Sequence, residues 1–400
     1  MKKLTALVLA LCMALGLAAC GGSKDNGSAA GSTAAASGDT VKIGVFEPQS
    51  GDNGAGGKQE ILGVQYANSV APTVEIGGKT YNVKLEIVDN ESSNDKAVSA
   101  ASQLVSKGVS IVLGSYGSGV SIAASDTFKN AGIPAMGITC TNPAVTAGNT
   151  HYFRACFIDS FQGPVLANYA YDNLKVKKAY CLSKLGDDYS GGLVSYFTKQ
   201  FEAKGGEVVK AEFPEGNSDF TSYIANAKKE GCGVFYAPIS IEAAQLVINQ
   251  AASQGLGMPI LAGDTWDSNV ILEAAKGTDI EIDVTTFYAD GTNKEFEQKI
   301  KEWINGDSTN LKNNGGNDTL SAVTVMGYDA YMVALEALKA AGSTDPADVM
   351  KALPTVSYDG ITGTISFDEN GDAKVKTAYV KTVDTKTGTW VGGGSVTMDE

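Results

Sequence analysis

From residue 41 onward, short apolar segments of strand character alternate with segments in which apolar residues recur at helical spacing. This alternation is typical of parallel sheets that are covered by helices on both faces. We predict nine strands before residue 290, at residues 41–46, 81–88, 109–113, 133–138, 178–183, 207–212, 233–237, 259–262 and 283–288. A single sheet uses about five or six strands, and 400 residues exceed one ordinary core. The sequence therefore predicts an α/β fold with two doubly wound parallel-sheet lobes and a cleft between them.

The strand and helix pattern also predicts where the chain passes between the lobes. The alternation restarts around residues 155–161, and a long helical stretch after residue 288 lets the chain return. We predict a first lobe of residues 40–157 and 287–372, and a second lobe of residues 158–286 and 373–400. Segments 360–367, 374–380 and 389–392 predict antiparallel strands joined by D-E-N-G-D and D-T-K-T-G turns.

The first twenty residues have the features of a bacterial export signal. Lys2 and Lys3 precede an apolar segment, residues 4–17, that is too short to span a membrane. The following L-A-A-C ends at Cys20 and resembles a lipobox, in which the cysteine is diacylated and becomes the new N-terminus; the alternative is an ordinary secretory signal. Residues 21–39 have the composition of a flexible tether. We therefore predict an exported protein, lipid-anchored to the outer face of the cell membrane or in the periplasm.

Charge and composition argue against several classes of function. The net charge is −14, and Arg154 is the only arginine among 31 basic residues, which argues against nucleic acid as a partner. The chain has one histidine and no C-x-x-C pair, which argues against a metal site. It also lacks a G-x-S-x-G motif, which argues against an enzyme. We expect no cofactor. Four cysteines follow Cys20, and the sequence leaves open whether they form disulfides or are buried thiols, namely Cys140, Cys156, Cys181 and Cys232.

Two neighbouring strand ends carry hydroxyl groups that are suited to binding a carboxylate. The strand at 109–113 is followed by a loop of small residues and a helix that begins near Ser118. The N-terminus of a helix offers unpaired N–H groups and partial positive charge. The strand at 133–138 ends in Thr139-Cys140-Thr141, and a parallel sheet would place these hydroxyls beside Ser118. We predict that this is half of an amino-acid site, although Ser118 and Thr141 are also suited to capping alone.

The strand-end motifs, taken in order, resemble those of the leucine/isoleucine/valine-type solute-binding proteins of bacterial ABC transporters. The similarity covers nearly all of residues 41–272, and its motifs are K-I-G to P-x-S-G, V-D to D-x-A, L-G to S-G, G-I-P, F-R to D-x-x-Q-G, D-Y to G, D-F and G-D-x-W-D. The resemblance implies a type I periplasmic-binding fold, in which three crossing segments join two lobes that close on an amino acid.

The resemblance also implies roles for individual residues. Ser118 would bind the ligand carboxylate, and Thr139 and Thr141 would bind the carboxylate and ammonium. Asp264 would pair with the ammonium, and Tyr189 would close over the ligand. The alternatives are that Asp264 caps a helix and that Tyr189 only packs on the next helix.

Some positions depart from the family pattern. Gly56 stands where many relatives carry tyrosine, and Ile239-Ser240 replaces another frequent tyrosine. Thr139 replaces a small apolar residue. Three aromatic residues are candidates to shape the side-chain pocket, namely Tyr116, Phe161 and Trp266. The alternative for Trp266 is a place in the core. Asp159 is expected to bond the backbone of the hinge instead.

Together these features predict a monomeric, membrane-anchored binding protein. It would capture a small amino acid, branched-chain or otherwise apolar, and deliver it to the membrane subunits of an ABC importer. The alternatives are a ligand-sensing lipoprotein and a binder of amides or other small polar solutes.

Overall fold

The structure is a computed structural model, and it describes residues 39–397. The predicted export signal, Cys20 and all but the last residue of the predicted tether lie outside the described residues. Within residues 39–397, no helix combines the length and apolar character that crossing a bilayer requires.

The first lobe is built on a six-stranded sheet, which is parallel except for one edge strand. The strand order is β2-β3-β1-β4-β5-β6, and β2 runs antiparallel to β3. Helices α2 and α3 end at Gly108 and Gly132, each of which has the left-handed conformation that glycine adopts without strain. The elements in chain order are β1 (Thr40–Glu47), α1 (Gly54–Val70), β2 (Thr73–Ile76), β3 (Lys79–Asp89), α2 (Asn94–Lys107), β4 (Ile111–Leu113), α3 (Ser118–Ala131), β5 (Ala135–Gly137) and β6 (Tyr152–Arg154).

The second lobe repeats this construction with a seven-stranded sheet. The strand order is β15-β14-β11-β10-β9-β7-β8, in which β14 and β15 run antiparallel at one edge. Its first elements in chain order are α4 (Asp159–Asn168), β7 (Lys178–Lys184), α5 (Asp188–Ala203), β8 (Glu207–Phe213), α6 (Thr221–Lys229), β9 (Val234–Tyr236), α7 (Ile241–Ser253), β10 (Ile260–Ala262), α8 (Asn269–Ala275) and β11 (Ile282–Thr286). The last two strands are β14 (Thr377–Asp384) and β15 (Thr389–Thr397).

The segment between β11 and β14 returns to the first lobe. It contains α9 (Lys294–Asn305), α10 (Ser308–Asn313), α11 (Ala322–Ala341), α12 (Pro346–Ala352), β12 (Ser357–Gly360) and β13 (Gly363–Ser366). The chain therefore crosses between the lobes three times, after β6, after β11 and after β13. This arrangement confirms the predicted α/β fold of two doubly wound lobes joined by three segments.

Helices α1 and α11 pack closely because glycine lies at both sides of their contact. A Cβ atom at Gly63 would lie 1.9 Å from the carbonyl oxygen of Thr324, and one at Gly327 would lie 2.3 Å from that of Glu60. Only a residue without a side chain allows this approach. The contact fixes α1, and with it Glu60, against the core of the first lobe.

Some predicted elements differ from the structure. The strand predicted at 360–367 is part of the hairpin β12–β13, because Ile361 and Thr362 form a turn whose amides donate to the carboxylate of Asp329. The sequence pattern missed β2 and β6, which have four and three residues. All four cysteines in the described part are buried and unpaired.

Candidate functional site

Helix α3 begins at the cleft with Ser118. The first intrahelical bond of the helix runs from Ser121 N to Gly117 O at 3.0 Å, so the amides of Ser118, Gly119 and Val120 precede the hydrogen-bonded turns. The Ser118 side chain accepts a bond from the amide of Asn142 at 3.2 Å, which leaves its own hydroxyl proton able to donate. This helix terminus is therefore arranged to bind an anion.

The two threonines that follow β5 have different environments. The hydroxyl of Thr139 donates to a carboxylate oxygen of Glu60. The hydroxyl of Thr141 is buried and has no hydrogen-bond partner that meets normal geometry within residues 39–397. The hydroxyl of Thr139 is thus already used, whereas that of Thr141 lies near the carboxylate of Asp159.

Asp264 lies in the second lobe, directly after β10, and only 1% of it is exposed. Its Oδ1 atom accepts hydrogen bonds from Gln162 Nε2 at 2.7 Å and from the Tyr189 hydroxyl at 2.9 Å. Burial raises the pKa of Asp264 to about 6, although these two bonds act in the opposite direction. A cationic group from a ligand would stabilise its charged form.

Sequence reasoning did not assign Asp159 and Gln162 to the ligand. Both are fully buried at the start of α4, and both oxygens of Asp159 and Oε1 of Gln162 have no hydrogen-bond partner in the described part of the chain. The expected bond between the Asp159 carboxylate and the hinge backbone is not formed. Instead, the backbone N–H of Asp159 donates to the backbone oxygen of Thr141 at 2.9 Å. Burial raises the pKa of Asp159, and the nearby Thr141 hydroxyl lowers it. The D-x-x-Q-G motif was visible in the sequence, but the sequence did not show which way its Asp and Gln side chains point.

Glu47 and Glu60 were also missed. Both are completely buried in the first lobe. Glu47 ends the apolar strand β1, and its Oε2 accepts a hydrogen bond from the backbone N–H of Tyr116 at 2.7 Å. A glutamate at the end of a buried parallel strand was the available signal, because strand ends of this kind face the ligand site.

Two of the predicted aromatic residues reach the cleft. The ring of Tyr116 lies over Gly56, where a Cβ atom would be 2.5 Å from the ring Cζ, and its hydroxyl donates to Thr265 O of the second lobe at 3.1 Å. Tyr189 reaches Asp264, as described above. Trp266 does not line the cleft cavity: it is fully buried in the core of the second lobe, where its Nε1 donates to Ile239 O at 3.0 Å. The indole N–H needs a buried acceptor, and this carbonyl holds it in the core.

A cavity of about 60 Å³ lies between the two lobes, and neither Thr141 nor Asp264 is part of its lining. Its lining includes Asn53, Tyr116 and Ser118 from the first lobe and Tyr189, Ser240 and Thr265 from the second. Further contacts cross the cleft, including the ion pair between Lys184 Nζ and Asp52 at 2.8 Å and the bond from Asn142 Nδ2 to Asp188 O at 2.7 Å. The lobes are therefore closed on each other. Among the described residues, no group of three or more metal-ligating side chains is placed to hold an ion.

Comparison with known proteins places this geometry in context. The model of the periplasmic binding protein family matches residues 40–389. The Leu/Ile/Val-binding protein homolog 1 of Brucella suis is 30% identical over 339 residues, which cover 84% of this chain and 88% of that protein.

Two solved structures have similar folds. The leucine-binding protein LivK of Thermotoga maritima has 31% identity and a TM-score of 0.78, and the match covers 90% of this chain and 99% of LivK. The branched-chain amino acid transporter substrate-binding protein LivJ of Streptococcus pneumoniae, solved with isoleucine, has 26% identity and a TM-score of 0.78, covering 90% of this chain and all of LivJ.

Proposed function

Because this chain belongs to the periplasmic binding protein family, we propose that it captures a small amino acid, branched-chain or otherwise apolar, and delivers it to an ABC importer. Its family and its two-lobed type I fold are those of a solute-binding protein and not of an enzyme. The names of its relatives, which refer to leucine, isoleucine and valine, support the class of ligand.

The observation that carries the proposal is the opposition of two kinds of group across one cleft. The N-terminus of α3 with Ser118 offers donors, and Thr141 adds a buried hydroxyl. Asp264 and Asp159 offer buried carboxylates, and Asp159 and Gln162 retain unused acceptor atoms. A zwitterion needs both kinds of partner, since buried charges are stable only when they are paired and hydrogen-bonded. In our assignment the carboxylate binds at Ser118 and Thr141, and the ammonium binds at Asp264 beside Asp159.

We assign supporting roles to three further residues. Tyr189 orients Asp264 through its hydroxyl, and Tyr116 forms the wall of the pocket over Gly56. Thr139 contributes its backbone, because its hydroxyl is bound to Glu60. The ligand then contacts both lobes and favours the closed state.

A thermal-shift screen tests this function. The chain without its predicted leader, residues 21–400, is melted with each of the twenty amino acids and with small amides. A ligand that binds only the folded state raises the melting temperature, and calorimetry then measures its affinity. We expect shifts from apolar amino acids. Shifts from amides alone would favour a binder of small polar solutes, for which the polar cavity wall of Asn53, Asn90 and Ser92 provides a reason.

We also propose that the protein is a monomer anchored through lipid on Cys20, with the lobe boundaries predicted above. Membership of the family supports export. A Cys20→Ser variant should leave the membrane fraction, whereas retention there would contradict the anchor. Light scattering of the purified chain measures its oligomeric state, and a dimer mass would contradict the monomer.

A further inference from the structure

Helix α7 of the second lobe receives the cap of its N-terminus from the first lobe. The amides at the start of a helix lack partners within the helix and usually bond the side chain of the preceding residue. In α7 the preceding residue is Ser240, whose side chain makes no capping bond. Instead, Ile241 N donates to Asn53 Oδ1 at 3.3 Å, and Glu242 N donates to Asp52 O at 3.2 Å.

The segment that supplies this cap is held in place within the first lobe. Gly51 has a φ of 74°, and a Cβ atom there would lie 2.2 Å from Glu91 O, so the turn requires glycine. Asn53 N donates to Ser92 Oγ at 3.1 Å, and Ser92 Oγ donates to Ser50 O at 3.0 Å. The first lobe therefore presents the cap in a fixed conformation, which lowers the entropy cost of docking onto α7.

Asp52 adds an ion pair to the same contact. Nζ of Lys184, in the second lobe, lies 2.8 Å from the Asp52 carboxylate, and it also pairs with Glu215 of its own lobe. The Asp52 and Lys184 side chains are partly exposed, so their pair contributes little by itself. Lys184 also keeps Glu215 when the lobes separate. The bonds to the amides of α7 therefore provide most of the contact's stabilisation.

These contacts lie at the wall of the cavity between the lobes. Four of the residues line it beside the start of α3, namely Asp52, Asn53, Lys184 and Ser240. None of them belongs to a segment that crosses between the lobes, and Asn53 and Ile241 are 188 positions apart in sequence. Separation of the lobes would therefore break the cap and leave the first amides of α7 to water.

We propose that Asp52 and Asn53 form an interlobe clasp, which caps α7 only in the closed state and thereby slows the release of ligand. Both are positioning residues, because they act on the lobes and not on the ligand. This inference rests on the proposed amino-acid function. It assigns part of the free energy of closure to groups outside those that hold the zwitterion, so the rate of release can change while recognition of the head group is retained.

Asn53→Ala tests the clasp with leucine as the probe; where the thermal-shift screen selects another amino acid, that ligand replaces leucine. Stopped-flow measurements give the rates of association and release. We expect release to accelerate about fivefold, as the loss of a typical helix cap predicts, while association stays within about twofold of wild type.

Two conservative variants separate the parts of the clasp. Asn53→Asp keeps an acceptor oxygen that suits a helix N-terminus, so it should retain the slow release of the wild type. Asp52→Asn keeps the backbone bond to Glu242 and loses only the ion pair with Lys184. Its release should accelerate about twofold, and this difference should vanish at high salt.

Amide hydrogen exchange distinguishes the clasp from direct contact with the ligand. In the wild type, leucine should slow exchange at Ile241 and Glu242 because closure caps these amides, whereas in Asn53→Ala it should slow exchange at Ile241 much less. Asp345→Ala is the control, since Asp345 Oδ1 caps α12 within the first lobe by accepting Ala347 N at 2.8 Å. It should lower the melting temperature and leave release and exchange at Ile241 unchanged.

A wild-type release rate in Asn53→Ala would overturn the clasp, as would exchange at Ile241 that leucine does not slow in the wild type. Equal acceleration in Asp345→Ala, or fast release in Asn53→Asp, would overturn it too. Each of these results leaves the amino-acid function intact, because the ligand still binds. If neither leucine nor any other amino acid binds, the proposed function itself fails, and the clasp fails with it.

Discussion

The hydroxyl of Tyr116 in the first lobe donates a 3.1 Å hydrogen bond to the backbone carbonyl of Thr265 in the second. The same ring lies over Gly56, and the amide of the same residue bonds Glu47. Tyr116 therefore belongs both to the wall of the cleft and to the contact that holds the lobes together. This contact belongs to the closed state, so its loss should affect the release of ligand more than its capture.

Tyr116→Phe should speed ligand release because the ring remains while the bond across the cleft is lost. A neutral hydrogen bond contributes about 0.5–1.5 kcal/mol, so release should accelerate by about twofold to tenfold. Stopped-flow displacement measures the rate. Tyr223→Phe is the control, since its hydroxyl bonds Glu212 O within the second lobe at 3.2 Å. An unchanged release rate in Tyr116→Phe would mean that the bond does not stabilise closure.

Ser118→Ala and Asp264→Asn should each weaken amino-acid binding by about 1.5 kcal/mol or more, because each leaves one end of the zwitterion short of a partner. The asparagine keeps an oxygen for Gln162 and Tyr189, so the second lobe should remain intact. Calorimetry measures the affinities. Ser99→Ala and Asp219→Asn, at exposed positions, are the controls. Wild-type affinity in both site variants would exclude the assigned site.

Amino-acid affinity should fall as the pH drops from 7 to 5. The ammonium binds the carboxylate form of Asp264, whose pKa is about 6, so protonation removes the partner. Tyr189→Phe removes a hydrogen bond that favours the charged form, so the fall should begin at a higher pH. Affinity profiles of both proteins test this. If the affinity profile of Tyr189→Phe matched that of the wild type, the Tyr189 hydroxyl would not affect the pKa of Asp264.

The ligand-free protein should become more stable as the pH falls from 8 to 5.5. Burial raises the pKa values of Glu47, Glu60, Asp159 and Asp264, so the folded state binds more protons than the unfolded state in this range. Stability then decreases as pH rises. Thermal unfolding across this range measures the slope, which should be shallower in the double variant Glu47→Gln, Glu60→Gln. The same slope in both proteins would contradict the raised pKa values of these two glutamates.

Gly327→Ala should destabilise the fold by about 1–3 kcal/mol, since its Cβ would lie 2.3 Å from the backbone oxygen of Glu60 and would force α1 and α11 apart. Gly191→Ala in α5 is the matched control. No atom lies within 4 Å of its added Cβ, so alanine should stabilise that helix by about 0.4–1 kcal/mol. Denaturant unfolding measures both. A tolerated Gly327→Ala would show that the helix contact adapts.

Sequence reasoning located most of the structures that surround the cleft. The βαβ alternation predicted two lobes because hydrophobic period and turn residues are local properties of the chain. The start of α3 near Ser118 and the strand end before Asp264 followed from the same local signals. Trp266 illustrates the limit, since it is adjacent to an aspartate of the cleft and yet packs in the core.

The sequence by itself determined the two-lobed α/β fold and the strand ends at which polar groups occur, because both depend on patterns within a few residues. Only the tertiary structure decided which polar side chains meet. Glu60 and Thr139 are 79 positions apart in sequence and Gln162 and Asp264 are 102 positions apart, yet each pair is hydrogen-bonded. Their pairing depends on helix packing at Gly63 and Gly327 and on the closure of two lobes. Burial affects the charge of the acidic groups, and it results from that packing. It therefore cannot be read from the residues next to them in sequence.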